Sequence, residues 1–159
     1  MTEIPFILFF HCLALKDISI PYGVTVIGKG AFSTSGLRRL SLPSTVTTIE
    51  SFAYDQLRNM KHIVIPESVT TIGTEAFGYC RNVESVTIGS NVNRIGYDAF
   101  YLWHLNEDGQ WQDAAVPDVK SQQAGIALRR SGYTGKITLN GMPFTAYSGT
   151  SFQVGEFVY

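Results

Sequence analysis

The side chains that could carry chemistry in this chain are its 3 histidines, 2 cysteines and 13 acids. None is spaced to build a reaction centre. His62 could serve as a ligand or a base, yet no acid or cysteine stands at a recognisable spacing from it, and a solvated histidine is the plainer reading. His11, beside Cys12, reads as structural. His104 lies near Glu107 and Asp108, whose oxygens suit a cation, but the stretch reads as an ordinary acidic loop. There is no phosphate loop, nucleophile elbow or paired zinc motif, and the serines and acids are too scattered to set out a triad. No catalytic residue, metal ligand or cofactor is assigned.

What does recur is the chemistry of recognition. Asp17, Arg39, His62 and Ser85 fall at one position of a repeating segment, and Ser19, Ser41, Val64 and Thr87 at the next outward position. Lys16, Arg38, Lys61 and Glu84 flank them. The candidate partner-binding set is therefore Asp17, Arg38, Arg39, Ser41, Lys61, His62, Val64, Ser85 and Thr87. Mixed charges give it no substrate class, and an ordinary solvated face is the alternative.

The elements that must position these columns come from a repeat. Leu37-Arg38-Arg39-Leu40-Ser41-Leu42-Pro43 returns as Met60-Lys61-His62-Ile63-Val64-Ile65-Pro66 and as Val83-Glu84-Ser85-Val86-Thr87-Ile88-Gly89, each copy 23 residues after the last. An earlier copy, Leu15 to Pro21, precedes the Leu37 copy by 22. A fixed period in this range marks a stacked repeat architecture, in which each unit buries its apolar face on its neighbours. Each copy predicts one short strand, with Leu40 and Leu42 inward and Arg39 and Ser41 outward, because side chains alternate across a strand. Pro43 and its equivalents end the ladder pairing. A Val-x-x-Ile segment returns along the opposite wall, Gly28, Gly73 and Gly96 mark a bend with Glu50 the exception, and an Ala-aromatic pair is expected on a short helical turn. Phe9, Phe32, Tyr54, Phe77 and Phe100 should stack as one internal file.

Composition agrees. Of 159 residues, 45% are apolar and 16% charged, and the net charge is -1. That is enough apolar material for a core, with no basic stripe for nucleic acid and no apolar run long enough to span a membrane. Cys12 and Cys80 share a column three repeats apart, about 14 Å at roughly 4.8 Å per strand, too far for a disulfide. Both are expected as free, buried thiols.

The ends are less regular. Ile4 to Leu15 has the apolar look of a signal-peptide core but carries Glu3 and lacks a positive start and a clear cleavage site. The repeat register instead makes it the second half of a repeat. Either a half-repeat caps this end or the chain is a piece of a longer array. Phe6, Ile7, Leu8 and Phe10 are unusually apolar for a solvent-facing cap, so Phe6 and Phe10 are expected at a subunit interface or against further sequence; the aromatic C-terminus, with Phe157 and Tyr159, is expected either to dock on the last repeat as a cap or to meet a neighbouring subunit. The organisation read here is a solenoid over 1–102 (a half-repeat cap plus about four repeats), a polar loop over 103–124, and a cap over 125–159. The cap is either a β-hairpin or a degenerate repeat; Ile126-Ala127-Leu128 and Ile137-Thr138-Leu139 read as strands, and Asn140-Gly141 signals a tight hairpin.

Ile65-Pro66, Val69-Thr70-Thr71-Ile72-Gly73 and Ala76-Phe77-Gly78-Tyr79-Cys80, in that order, resemble the BspA-type leucine-rich repeat. The resemblance covers residues 4–102 and departs at Ser51-Phe52 and at Gly89, where proline is expected. It implies a β-rich solenoid, a leucine-rich repeat array of short parallel strands, here with an irregular β C-terminal cap. It also implies a non-catalytic protein-binding or adhesion module, outside the cell or at its surface, with a protein or glycan ligand. The alternative is a structural subunit of an assembly such as a phage tail or fibre in a virion, self-associating through apolar ends. The absence of clear signal-peptide features, the apolar cap and the aromatic tail motivate it.

Overall fold

The computed structural model describes residues 2–105 and 107–145. Its elements in chain order are β1 (Glu3–Ile4), β2 (Val26–Ile27), β3 (Thr48–Ile49), β4 (His62–Ile65), β5 (Thr71–Ile72), β6 (Ser85–Ile88), β7 (Arg94–Ile95), β8 (Trp103–Leu105), β9 (Trp111–Asp113), β10 (Pro117–Val119), α1 (Gln122–Arg130), β11 (Thr138–Leu139) and β12 (Met142–Pro143). They wind as a solenoid with two walls. One wall is the parallel sheet β1-β2-β3-β5-β7, built by the Val-x-x-Ile segments. Ile4, Ile27, Ile49, Ile72 and Ile95 stand side by side in it. The other wall carries β4, β6, β10 and β11 in parallel, closed by antiparallel β12.

Between the walls runs the aromatic file. Phe9, Phe32, Tyr54, Phe77 and Phe100 stack with successive ring centroids 5.1, 5.2, 5.3 and 5.3 Å apart and near-parallel planes. Around it lie Leu57, Met60, Ile63, Ile65 and Ile88, all fully buried. No single coil could shield these groups, so adjacent coils supply each other's interior.

The segment around the aromatic is not the short helical turn expected. It is a ribbon of linked turns in which left-handed residues bracket the aromatic on both sides. Phe52 and Gln56 flank Tyr54, and Glu75 and Tyr79 flank Phe77, with φ between 48° and 60°. Non-glycine residues enter this region at a cost, offset by the hydrogen bonds it permits. Alternate amides point at the next coil: Phe52 N, Tyr54 N and Gln56 N donate to Thr74 O, Ala76 O and Gly78 O at 3.0, 2.8 and 2.8 Å. A helix would spend those amides on its own carbonyls and leave the coils unlinked.

Four other expectations need correction. The copies at 15–20 and 37–42 form no ladder strand; one backbone bond, Arg38 N to Lys16 O at 3.0 Å, joins them, and Leu40 and Leu42 are only half-buried. Leu40-Ser41-Leu42 has no β-branched residue, whereas Ile63-Val64-Ile65 and Val86-Thr87-Ile88 consist of nothing else. The stretch 103–124 is not a plain loop. It holds the antiparallel β8–β9 pair and then β10, which pairs in register with β6. Ile126-Ala127-Leu128 lies in α1, not a strand, since Ser121 caps that helix by accepting from Ala124 N at 3.1 Å. Cys12 is exposed rather than buried, because its coil is the outermost of the described residues and has a neighbour on one side only.

β11 pairs parallel with β10, so Ile137-Thr138-Leu139 continues the repeat wall. Asn140 and Gly141, with φ of 51° and 79°, then turn the chain into β12 as the Asn-Gly signal predicts.

Candidate binding face

The outward face of the β4-β6-β10-β11 wall gathers much of the predicted set. In β4 the alternation is strict: His62 and Val64 are exposed, Ile63 and Ile65 buried. Register places His62 beside Ser85 and Val64 beside Thr87. His62 Nδ1 and Ser85 Oγ are hydrogen-bonded at 2.9 Å. Lys61 Nζ donates to Glu84 Oε1 at 2.7 Å, and that bond, with the lysine's charge, holds the Glu84 carboxyl below the usual range. Val64 is 56% exposed in the middle of a paired strand.

Asp17 and Arg39 sit next to each other on the first two coils, with Arg39 Nε 3.4 Å from Asp17 Oδ1. Both are well exposed, so the pair adds little to stability. Arg38 and Ser41 are exposed on the same irregular coil. These four are not continuous with the ladder: among the described residues no backbone hydrogen bond ties 38–43 to 60–66.

Sequence reasoning missed the other half of the face. Thr87 registers with Asp118 and Asp118 with Thr138, so the column runs Val64, Thr87, Asp118, Thr138. Asp118 is a hub. Its Oδ1 accepts from Thr138 Oγ1 at 2.7 Å and Gly141 N at 2.8 Å, and its Oδ2 accepts from Lys120 Nζ at 2.5 Å. Burial acts to raise its pKa, but those three hydrogen bonds outweigh it and hold the carboxyl below the usual range. The one available signal was Asp118 flanked by Pro117 and Val119, twenty positions before Thr138.

Of the interface candidates, Phe6 and Phe10 are 60% and 52% exposed on the outermost coil, beside exposed Ile7, Leu8 and Leu13. Phe157 and Tyr159 lie outside the described residues. His104 Nε2 is 3.1 Å from Gln112 Nε2 across the β8–β9 pair. Among the described residues no three His, Cys, Asp or Glu side chains converge on a point that could hold a metal ion.

Comparison with known proteins agrees with this architecture. The profile of the family described as "BspA type Leucine rich repeat region" matches residues 2–107 in six copies. Among solved structures, a leucine-rich repeat protein from Bacteroides ovatus ATCC 8483 is 26% identical with a TM-score of 0.56 over 60% of this chain. The match spans only 25% of that protein's length. The T. pallidum leucine-rich repeat protein TpLRR is 23% identical with a TM-score of 0.63, covering 87% of this chain and 80% of its own. The pneumococcal vaccine antigen PcpA is 20% identical with a TM-score of 0.63, covering 87% of this chain and 39% of its own. No curated protein sequence matches.

Proposed function

Because the chain belongs to the BspA-type leucine-rich repeat family, we propose that it is a non-catalytic recognition module that binds a protein partner through the outward face of β4, β6, β10 and β11. One observation carries this reading: four parallel strands in continuous register present an open row of side chains, with Val64 exposed at its β4 edge. The row mixes cations, acids, a histidine, hydroxyls and one apolar group, which suits a protein surface better than a single small ligand. Asp17, Arg38, Arg39 and Ser41 extend it as a flanking polar rim. Surface glycans are the second ligand class for the same face. A cell-surface or extracellular setting fits the family; no helix among the described residues is long and apolar enough to cross a membrane.

Replacing Val64 by a photo-crosslinking phenylalanine analogue tests the reading. Crosslinked partner from position 64, none from the same analogue at Thr47 on the other wall, and loss of capture in Arg39→Glu, Lys61→Glu are expected. Equal capture from both walls overturns it.

The exposed Phe6, Ile7, Leu8, Phe10 and Leu13 favour a second reading, a subunit of a larger assembly. Sedimentation should then show mass rising with concentration. A monomer at every concentration removes this option.

A further inference from the structure

Asn140 is the one asparagine of the chain that precedes a glycine, and both residues of the pair are exposed. Gly141 has no Cβ to hinder its nitrogen, and the space beside it is open: beyond its chain neighbours no heavy atom lies within 4 Å of where a Cβ would stand. In such a pair the Gly141 nitrogen is a nucleophile for Cγ of the Asn140 carboxamide. The N–Cγ bond forms, the Cγ–Nδ2 bond breaks, and the nitrogen's proton leaves with Nδ2 as ammonia. Water then opens the cyclic imide to aspartate or isoaspartate, with no oxidant or reductant consumed.

The closed hairpin keeps the two groups apart. Positive φ at both residues makes the turn type I′, in which ψ of the first central residue is about +30°. That rotation carries the Gly141 nitrogen to the side of the Cα–C bond opposite the Asn140 side chain. Two hydrogen bonds hold it there: Asn140 N donates to Val119 O at 3.1 Å, and Gly141 N donates to Asp118 Oδ1 at 2.8 Å. The strand beyond adds little. Both residues of β12 are exposed, and Pro143, opposite Thr138, has no amide to give the ladder. Phe144 N to Ile137 O at 2.9 Å is the next tie. We propose that Asn140 is a latent self-modification site latched by Asp118: the closed turn spares it, and opening of the turn releases it to deamidate. The product sets a second carboxylate beside Asp118. Isoaspartate also routes the backbone through the former side-chain carbon, which a two-residue turn does not accommodate, so the opened hairpin does not reclose as before. This inference does not rest on the binding role of the strand face.

The test follows deamidation of the full chain at neutral pH by peptide mass spectrometry, with isoaspartate resolved from aspartate. A synthetic peptide of residues 136–145 supplies the rate without a fold. Native wild type should react about tenfold or more slowly than the peptide, the factor being set by how rarely the turn opens. Asp118→Ala should react about fivefold or more faster than wild type, because it removes a hydrogen bond to a charged group. Asp118→Asn keeps an oxygen that accepts from Gly141 N and should stay slower than Asp118→Ala. Lys120→Ala removes a different hydrogen bond of Asp118 and should stay close to wild type. Wild type as fast as the peptide, or Asp118→Ala no faster than wild type, overturns the proposal. Equal rates in Lys120→Ala and Asp118→Ala also overturn it, since protection then comes from the general stability of the region and not from the latch.

Discussion

Cys80 donates its thiol hydrogen to the backbone carbonyl of Tyr54, 3.2 Å away in the preceding coil. The thiol is sealed in the core, and burial pushes its pKa up to about 12. Only thiolates attack alkylating agents. Iodoacetamide at about pH 8 should therefore modify exposed Cys12 alone in the native protein. Cys80 should react only after denaturant is added. Mass spectrometry reads the result, and a doubly labelled native chain contradicts the packing described here.

The Tyr54 hydroxyl is buried in the aromatic file without a hydrogen-bond partner among the described residues, and burial drives its pKa upward. Phenylalanine occupies the same position in the neighbouring coils. Tyr54→Phe removes a desolvated polar group and keeps the ring, so it should stabilise the fold by about 1 kcal/mol. Urea unfolding measures this; a loss of stability would mean that the hydroxyl has a partner.

Phe77 lies between Tyr54 and Phe100 in the same file. Phe77→Ala leaves a cavity that rigid coils on both sides cannot close, at a cost of about 3–5 kcal/mol. Tyr79→Ala, two residues on but exposed, should cost under about 1 kcal/mol. Comparable losses from the two would dissolve the distinction between file and surface.

Asp55 and Asp118 should pull stability in opposite directions with pH. Burial raises the Asp55 pKa, with Glu75 adding to it against hydrogen bonds from Gln56 and Ser33. Its folded form holds the proton more tightly than the unfolded chain, so its cost is absent at acid pH and grows as pH rises through the folded value. Asp118 is the reverse: its lowered pKa gives stability that is present above the unfolded value of about 3.9 and is lost as pH falls through the folded one. Against wild type, Asp55→Asn should be more stable at neutral pH and Asp118→Asn less stable. Both differences should shrink toward about pH 3, below the usual aspartate range. Denaturant unfolding across that range decides it, and a same-signed pair of differences refutes the assignment.

The aromatic file was legible because an alanine and a ring recur at a fixed interval, and nothing but stacking explains that rhythm. The Val-x-x-Ile wall was legible for the same reason. β10 was hidden because Ser121 and Ser90, joined by a hydrogen bond, are 31 positions apart, where Lys61 and Glu84 are 23. The β8–β9 pair lies in that gap and carries the expected apolar position out of phase. Ile126-Ala127-Leu128 misled because three apolar residues in a row fit a buried strand or a buried helix alike. Gly125 also lowers helix propensity, and its reason is tertiary: a Cβ there would strike the Phe144 ring. The Asp118 hub could not be seen before β10 itself was placed.

The β8–β9 excursion leaves the main winding after Leu102 and rejoins it at Ala114, whose amide donates to the Leu102 carbonyl at 3.2 Å. The winding resumes in step with β6 as though nothing had intervened. This corner is therefore a natural port for foreign sequence: a peptide epitope or a fluorescent tag threaded between those two residues should leave the flanking coils undisturbed.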